Sequence, residues 1–464
     1  MPPDILNWLH GIETADAIDI SLQPRLSRNL KRAHSPSRLS IPTPPPEMPS
    51  PKKRKTAHGV PSAAESDASA DPDSNSSQDG DQDPQNPQDM TPRASRTSAL
   101  AHSRASSQLS SHRTTSSSRT GGSSPRKHLA AMALSSRYVE QEDFSETARQ
   151  PSALSAMRSR LMSVSHRRGI LGESTKSLIS SIGPALHVDF ATLAEYDGCF
   201  SAQRDTLGST PLPEDVVYIL ESARECKLMD QGESGWNVEV HHPLLAMALR
   251  KRQPGHTYKN LFKFMSCSSA PLIKEYKHPS APDKKIDFCI FIDPKHDQQP
   301  DMVSHVNNLR SFLPLQSINI TSDIPLLNRP LAVPIETKRT GEGGDDAALQ
   351  VSTWLEAQLE LLHRLVRRCQ VLSSTDDDLP ALSDIGFLPG LIIQGHVWNF
   401  VAATRQDNET VIWSGMSIGA TSDVTGIYQI VTFLQILREW VLNTYWPWLS
   451  RVIRLASSTV PVPG

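Results

Sequence analysis

Leu331 to Arg339 reads LAVPIETKR: an apolar run that ends in a carboxylate and an ammonium two residues apart, Glu336 and Lys338. On a β-strand, period-2 geometry sends both side chains to one face at the C-terminal end. Burying them there is costly unless they pair or hold a metal. The letters alone carry little, because E-x-K recurs at Glu225/Lys227 and Glu275/Lys277, and D-x-K at Asp283/Lys285 and Asp293/Lys295. Context separates them. Glu225 and Lys227 fall on an expected helix, where i and i+2 point about 200° apart. Glu275/Lys277 and Asp293/Lys295 sit in polar, proline-bounded loops and read as solvated charge. Asp283/Lys285 falls just ahead of a strand. Only Glu336 and Lys338 emerge from an apolar one.

A second acid, Asp287, lies inside KKIDFCIFID (284–293), read as a strand rich in β-branched and aromatic residues. An acid so placed either caps a loop, pairs with Lys338, or joins Glu336 as a metal ligand. The elements that must position these groups follow from hydrophobic spacing. PEDVVYILESARECKLMD (213–230) and WNVEVHHPLLAMALRK (236–251) read as helices, the second tolerating Pro243 only in its first turn. SINIT (317–321) and LAVPIETK (331–338) read as strands. DDAALQVSTWLEAQLELLHRLVRRC (345–369) is a long helix with Leu349, Leu355, Leu359, Leu362 and Val366 on one stripe. FLPGLIIQGHVWNFVAAT (387–404) and TVIWSGMSIG (410–419) read as strands joined by a QDNE turn. A closing helix over 425–454 is interrupted near Pro447. The order implies an α/β domain, a central mixed sheet flanked by helices, over 185–464.

The remainder is of another kind. The chain has 464 residues, of which only 38% are hydrophobic, and its 36 prolines and long serine tracts concentrate in the first third. Residues 24–58 carry nine Lys/Arg against one acid, 59–90 eight acids and no Lys/Arg, and 91–127 seven Lys/Arg and no acid. The net charge of −3 therefore hides opposed blocks. Such segments bury too little surface to offset chain entropy, so 1–127 is expected to be a disordered arm and 128–184 a partly helical linker. Within the arm, Lys52, Lys53, Arg54 and Lys55 in PKKRK read as a nuclear-import signal recognised by an import receptor; the plainer reading is a solvated charge run. DILNWLHGI (4–12) is a frayed turn or a docking peptide. Five scattered cysteines without a CxxC pair fit reduced thiols. The start of the chain does not read as a secretory signal, and no stretch is long and apolar enough for a membrane span.

Taken together, WNVEVHHPLL, KKIDFCIFI, PIETKR, FLPGLIIQGHVWNF and YWPW resemble the PD-(D/E)xK, or restriction-endonuclease-like, superfamily over roughly 210–450, and look most like its fungal nuclease-like branch. The resemblance implies a core of helix, three strands, helix and strand. It makes Asp287 the strand-borne acid, Glu336 and Lys338 the E-x-K pair, and Glu239 the acid of the first core helix. Gln350 falls where some members carry an accessory glutamine; the aromatic four residues on is Trp354, where those members have tyrosine.

The chemistry that goes with these residues is metal-dependent hydrolysis of phosphodiesters, with DNA as the expected substrate and Mg²⁺ (or Mn²⁺) as the cofactor. Asp287, Glu336 and the Thr337 carbonyl would hold the ion, since a hard cation prefers oxygen ligands. Lys338 would position or deprotonate the water, or stabilise the phosphorane, a pKa lowered near the metal favouring the base role. Glu239 would orient a hydrated ion or serve as a helix-start acid. His241, His242 and His396 lack zinc-ligand spacing and read as structural, and Trp398, Trp413, Trp440, Trp446 and Trp448 as core. The rival functions are a nuclease fold without hydrolysis, acting as a nucleic-acid-binding or scaffold module, and an interaction protein working through its arm.

Overall fold

A computed structural model describes residues 123–250, 254–373 and 379–458. PKKRK, DILNWLHGI and the charge blocks up to residue 122 lie outside the described residues. A seven-stranded mixed sheet forms the centre. Its strands are β1 (Tyr138–Asp143), β2 (Phe262–Ser266), β3 (Phe288–Ile292), β4 (Leu331–Lys338), β5 (Leu388–Gln394), β6 (Val397–Gln406) and β7 (Glu409–Ala420). They lie side by side in the order β1-β7-β6-β5-β4-β3-β2. β2, β3 and β4 run antiparallel to one another, and β4 lies parallel to β5. Parallel neighbours need a crossover, which the 29-residue helix Gly344–Leu372 supplies.

Every residue of β3 is buried, as is every residue of β4 except Lys338. A sheet covered on both faces selects continuous apolar runs of this kind over alternating ones. The long helix packs close to β5 because Gly390 has no side chain: a Cβ there would stand 3.0 Å from Val351 Cγ1 and 3.2 Å from Leu355 Cδ1. Helix Val424–Trp440 is buried along most of its length and covers β7.

Several expectations are corrected. Residues 128–184 are no linker. Helix Pro125–Ala133 packs on the long crossover helix, and β1 adds an edge strand parallel to β7. Helix Ser152–Ser165 buries Leu154, Met157, Leu161 and Val164 against that edge. β1 is polar because an edge strand buries only part of its surface. SINIT forms no strand. Its Asn319 side chain instead satisfies the backbone that follows, donating to the carbonyls of Leu326 (2.6 Å) and Arg329 (2.7 Å) and accepting from Leu331 N–H (2.7 Å). This buried amide pins the start of β4. The stretch 387–404 is two strands, broken where Gly395 takes φ 55°, a left-handed conformation that glycine adopts without strain.

Two helical runs contain a π-turn followed by a proline. Helical turn Glu233–Trp236 passes through a π-turn at Asn237–His241 into helix His242–Leu249, and Val424–Trp440 passes through Val441–Tyr445 into Trp446–Ala456. In each case a proline, Pro243 or Pro447, is the second residue after the π-turn. A proline ring clashes with the carbonyl four residues back and donates no hydrogen bond, and the widened turn relieves both. Pro243 is thus internal to a longer helical run, and the irregularity near Pro447 precedes it.

Candidate active site

The site forms where β4 ends and β3 begins. Because the two strands are antiparallel, with Phe288 opposite Ile335, the residue before β3 stands across from the Glu336–Thr337 peptide. That residue is Asp287. It lies at the mouth of β3 and not within it, its N–H donating to Ile335 O at 3.2 Å. Its carboxylate is aimed by Thr337, whose N–H (2.9 Å) and hydroxyl (2.8 Å) both donate to Asp287 Oδ2. The approach to Asp287 is fixed from the crossover helix: Gln350 Nε2 donates to Lys285 O at 2.7 Å, and Trp354 Nε1 to Lys284 O at 3.0 Å.

Glu336 is 1% exposed. Its Oε1 accepts from the Lys338 ammonium, while its Oε2 is buried with no hydrogen-bond partner. Burial, then the charge of Asp287, push its carboxyl up to about 8, against the pull of Lys338. Lys338 also donates to Thr337 O at 2.9 Å and to Glu233 Oε2 at 3.2 Å. Burial works against its charge, but Glu336, Glu233 and Asp287 outweigh that and hold the ammonium above the ordinary lysine range. The protein's own neighbours therefore favour the charged form of Lys338; a divalent cation held beside it would oppose that form. Glu233, half-buried, is itself raised by burial and by Asp287.

The structure brings together Asp287, Glu336, Thr337 and Lys338, with Gln350 behind them. It does not bring Glu239. That side chain is exposed on another face of the helical run, near Cys226, whose thiol is pushed up by burial first and by Glu239 second. The helix-borne acid facing Lys338 is Glu233, six residues earlier at the first turn of the run. Its signal in the sequence was an acid directly after Gly232, at a helix start.

Glu233, Lys338 and Gln350 line an open cleft of about 520 Å³, along with Lys284, Arg339, Glu342 and Asp346. Its charges are mixed, in keeping with the lack of a basic groove in the sequence. Gly343, at φ 65°, closes one wall: a Cβ there would meet Lys338 Cδ at 2.7 Å.

Among the described residues, no group of three His, Cys, Asp or Glu side chains stands ready to hold a metal ion. The two carboxylates fit one nonetheless. They are hard oxygen donors, one on β4 and one just ahead of β3, and Glu336 Oε2 is a desolvated acceptor that nothing among the described residues satisfies. Mg²⁺ suits such a sparse set because it keeps several waters. His241 is bound by Asn237 and Gly395, and His396 by Thr421, so both are structural. The five tryptophans are core.

A family model described as PD-(D/E)XK nuclease superfamily matches residues 185–446. Comparison with curated proteins and with solved structures found no match.

Proposed function

The chain belongs to the PD-(D/E)XK nuclease superfamily, and from that premise we propose that it is a metal-dependent nuclease hydrolysing phosphodiester bonds of DNA in the nucleus. The helix, β2, β3, β4, crossover helix and β5 run in the order expected of that superfamily's core. Members generally use divalent metals. The observation that carries the reading is the buried, unsatisfied Oε2 of Glu336 beside Asp287. A desolvated carboxylate oxygen left without a partner costs free energy that a structural role does not recover.

Asp287, Glu336 and the Thr337 carbonyl would hold the ion, which supplies Lewis acidity and a more acidic bound water. Thr337 keeps the Asp287 carboxylate facing Glu336. Lys338, held as an ammonium by Glu336 and Glu233, offsets charge that builds on the phosphoryl oxygens during displacement. Gln350 and Trp354 fix the strand entry that carries Asp287. The basic blocks at 24–58 and 91–127 add sequence-independent phosphate affinity, and PKKRK directs import through a receptor.

The test is cleavage of single- and double-stranded DNA and RNA with Mg²⁺, Mn²⁺ or chelator, by the protein and by Lys338→Ala. Metal-dependent DNA cleavage lost in the variant supports the reading. The lack of a three-side-chain metal cluster among the described residues favours a second one, a nuclease fold that binds nucleic acid without cutting it. Binding without cleavage, unchanged in Lys338→Ala, would establish that instead.

A further inference from the structure

A second cavity, of about 470 Å³, opens at the other end of the sheet, where β2 begins, β3 ends and the π-turn Val441–Tyr445 leads into the last helix. β3 separates it from Asp287 by five residues, roughly 17 Å of strand. Its lining is mixed: Leu249, Phe262, Leu442 and Trp446 are its apolar part, beside polar side chains such as His296 and Gln299. Arg438 lines it, from the last turn of helix Val424–Trp440.

Arg438, half-buried, differs from Arg204 and Arg405, whose side chains are buried, and Arg405 donates to Glu360 and to Asp407 O. Arg204 donates to Thr432 Oγ1 and to Gly208 O. Among the described residues Arg438 forms no ion pair and no side-chain hydrogen bond, and burial pushes its guanidinium down with no neighbouring charge to oppose it. Asp297 also lines the cavity, but its Oδ2 accepts from the Trp446 indole N–H and it makes no ion pair with Arg438. Arg438 cannot be explained by a helix end, because the chain continues helically through the π-turn. A half-buried cation without an ion pair, at the wall of a ligand-sized cavity lined by both apolar and polar side chains, suits an anion that carries an apolar body.

We propose that this cavity binds a small organic phosphate, with Arg438 as the anchor for the phosphate and Leu442 and Trp446 holding the organic part. A carboxylate would spend both oxygens on the guanidinium fork. A phosphate has a third oxygen to offer the amides of Asn443 and Gln298, which also line the cavity. The site is separate from the cleavage chemistry and does not depend on it.

Phenyl phosphate, a nucleoside monophosphate and inorganic phosphate would be titrated against the full chain by calorimetry. The expected result is binding of both organic phosphates, tighter than inorganic phosphate. Arg438→Gln should weaken it by at least about tenfold, and Lys338→Ala should leave it unchanged. Arg438→Gln removes a cation with no partner, so its melting temperature should equal or exceed that of the parent. Should that variant not fold, Asn443→Ala should still weaken the organic phosphates. Absence of binding at millimolar phosphate, or equal binding by the parent and Arg438→Gln, overturns the proposal.

Discussion

Glu336 and Glu356 are each 1% exposed, yet their surroundings differ in kind. Glu356, on the crossover helix, is gripped through both oxygens by Arg137, whose Nε lies 2.8 Å from Oε1 and whose Nη2 lies 2.5 Å from Oε2. Arg137 also donates to Tyr276 O at 2.9 Å. Next to this pair, Glu360 accepts from Arg364 (2.7 Å) and Arg405 (3.2 Å). Burial raises the Glu356 carboxyl, but two arginines oppose it. Glu336 shares one lysine with Glu233 and keeps an oxygen with no partner. The buried acid bonded through both oxygens joins β1 to the body; the one left short is where the proposed function would place an ion. Satisfaction, more than burial, separates the first cluster from the second.

The comparison can be broken most decisively at Lys338. Lys338→Ala should reduce cleavage about 10²–10⁴-fold, measured under saturating metal and substrate, with the circular dichroism spectrum retained. A similar loss in Arg137→Ala, corrected for folded fraction, would show that the two clusters are not distinct.

A pH series in chelator sharpens it next. With its carboxyl pushed up to about 8 in the fold, Glu336 holds a proton that the unfolded chain releases near pH 4.5. Its stabilising contribution is complete below about 4.5 and is lost as pH rises through about 8, on the order of 5 kcal/mol in all. Metal-free protein should therefore melt progressively lower across that window, Glu336→Gln should not, and added Mg²⁺ should restore most at the alkaline end. Parallel curves for the parent and Glu336→Gln would refute the assignment.

Arg137→Ala is the converse case. It strands Glu356 as an uncompensated buried charge and should cost about 3–5 kcal/mol in denaturant unfolding, with little change in turnover per folded molecule. The smallest effect belongs to Gly343→Ala. The positive φ and the approach to Lys338 Cδ should cost about 1 kcal/mol of stability, and cleavage should fall more than in Gly341→Ala, where a Cβ meets open space.

The sequence was most legible where one physical demand ruled. LAVPIETK is β4 to the residue, since an apolar run ending abruptly in charge has few other solutions. The stripe from Leu349 to Val366 likewise announced the crossover helix. Legibility failed where a tertiary partner overrode local pattern. SINIT alternates like a strand but is held by the Asn319 amide. LIIQGHVW is apolar on both sides of a hairpin whose only mark is Gly395. YVEQED is too polar to look like a strand, because it pairs along only one edge. Of the site, the strand-borne groups could be read and the helix-borne acid could not: WNVEV looks like the start of a helix, whereas the run begins at Glu233.

That misreading points to what the π-turn at Asn237–His241 does. It stands between Glu233 and a segment, His242–Leu249, locked against helix Val424–Trp440. It thereby acts as a buffer for chain length between the two helical segments. Each residue of an α-helix turns the chain by about 100°. A π-turn holds one extra residue with little change of phase, so a deletion within it would leave Glu233 near Lys338, whereas a deletion in the regular turn after Glu233 would swing it away. The spacing of the site is thus written in the length of a helix as much as in the identity of its acids, and a variant keeping every charged residue could lose the constellation by a single deletion.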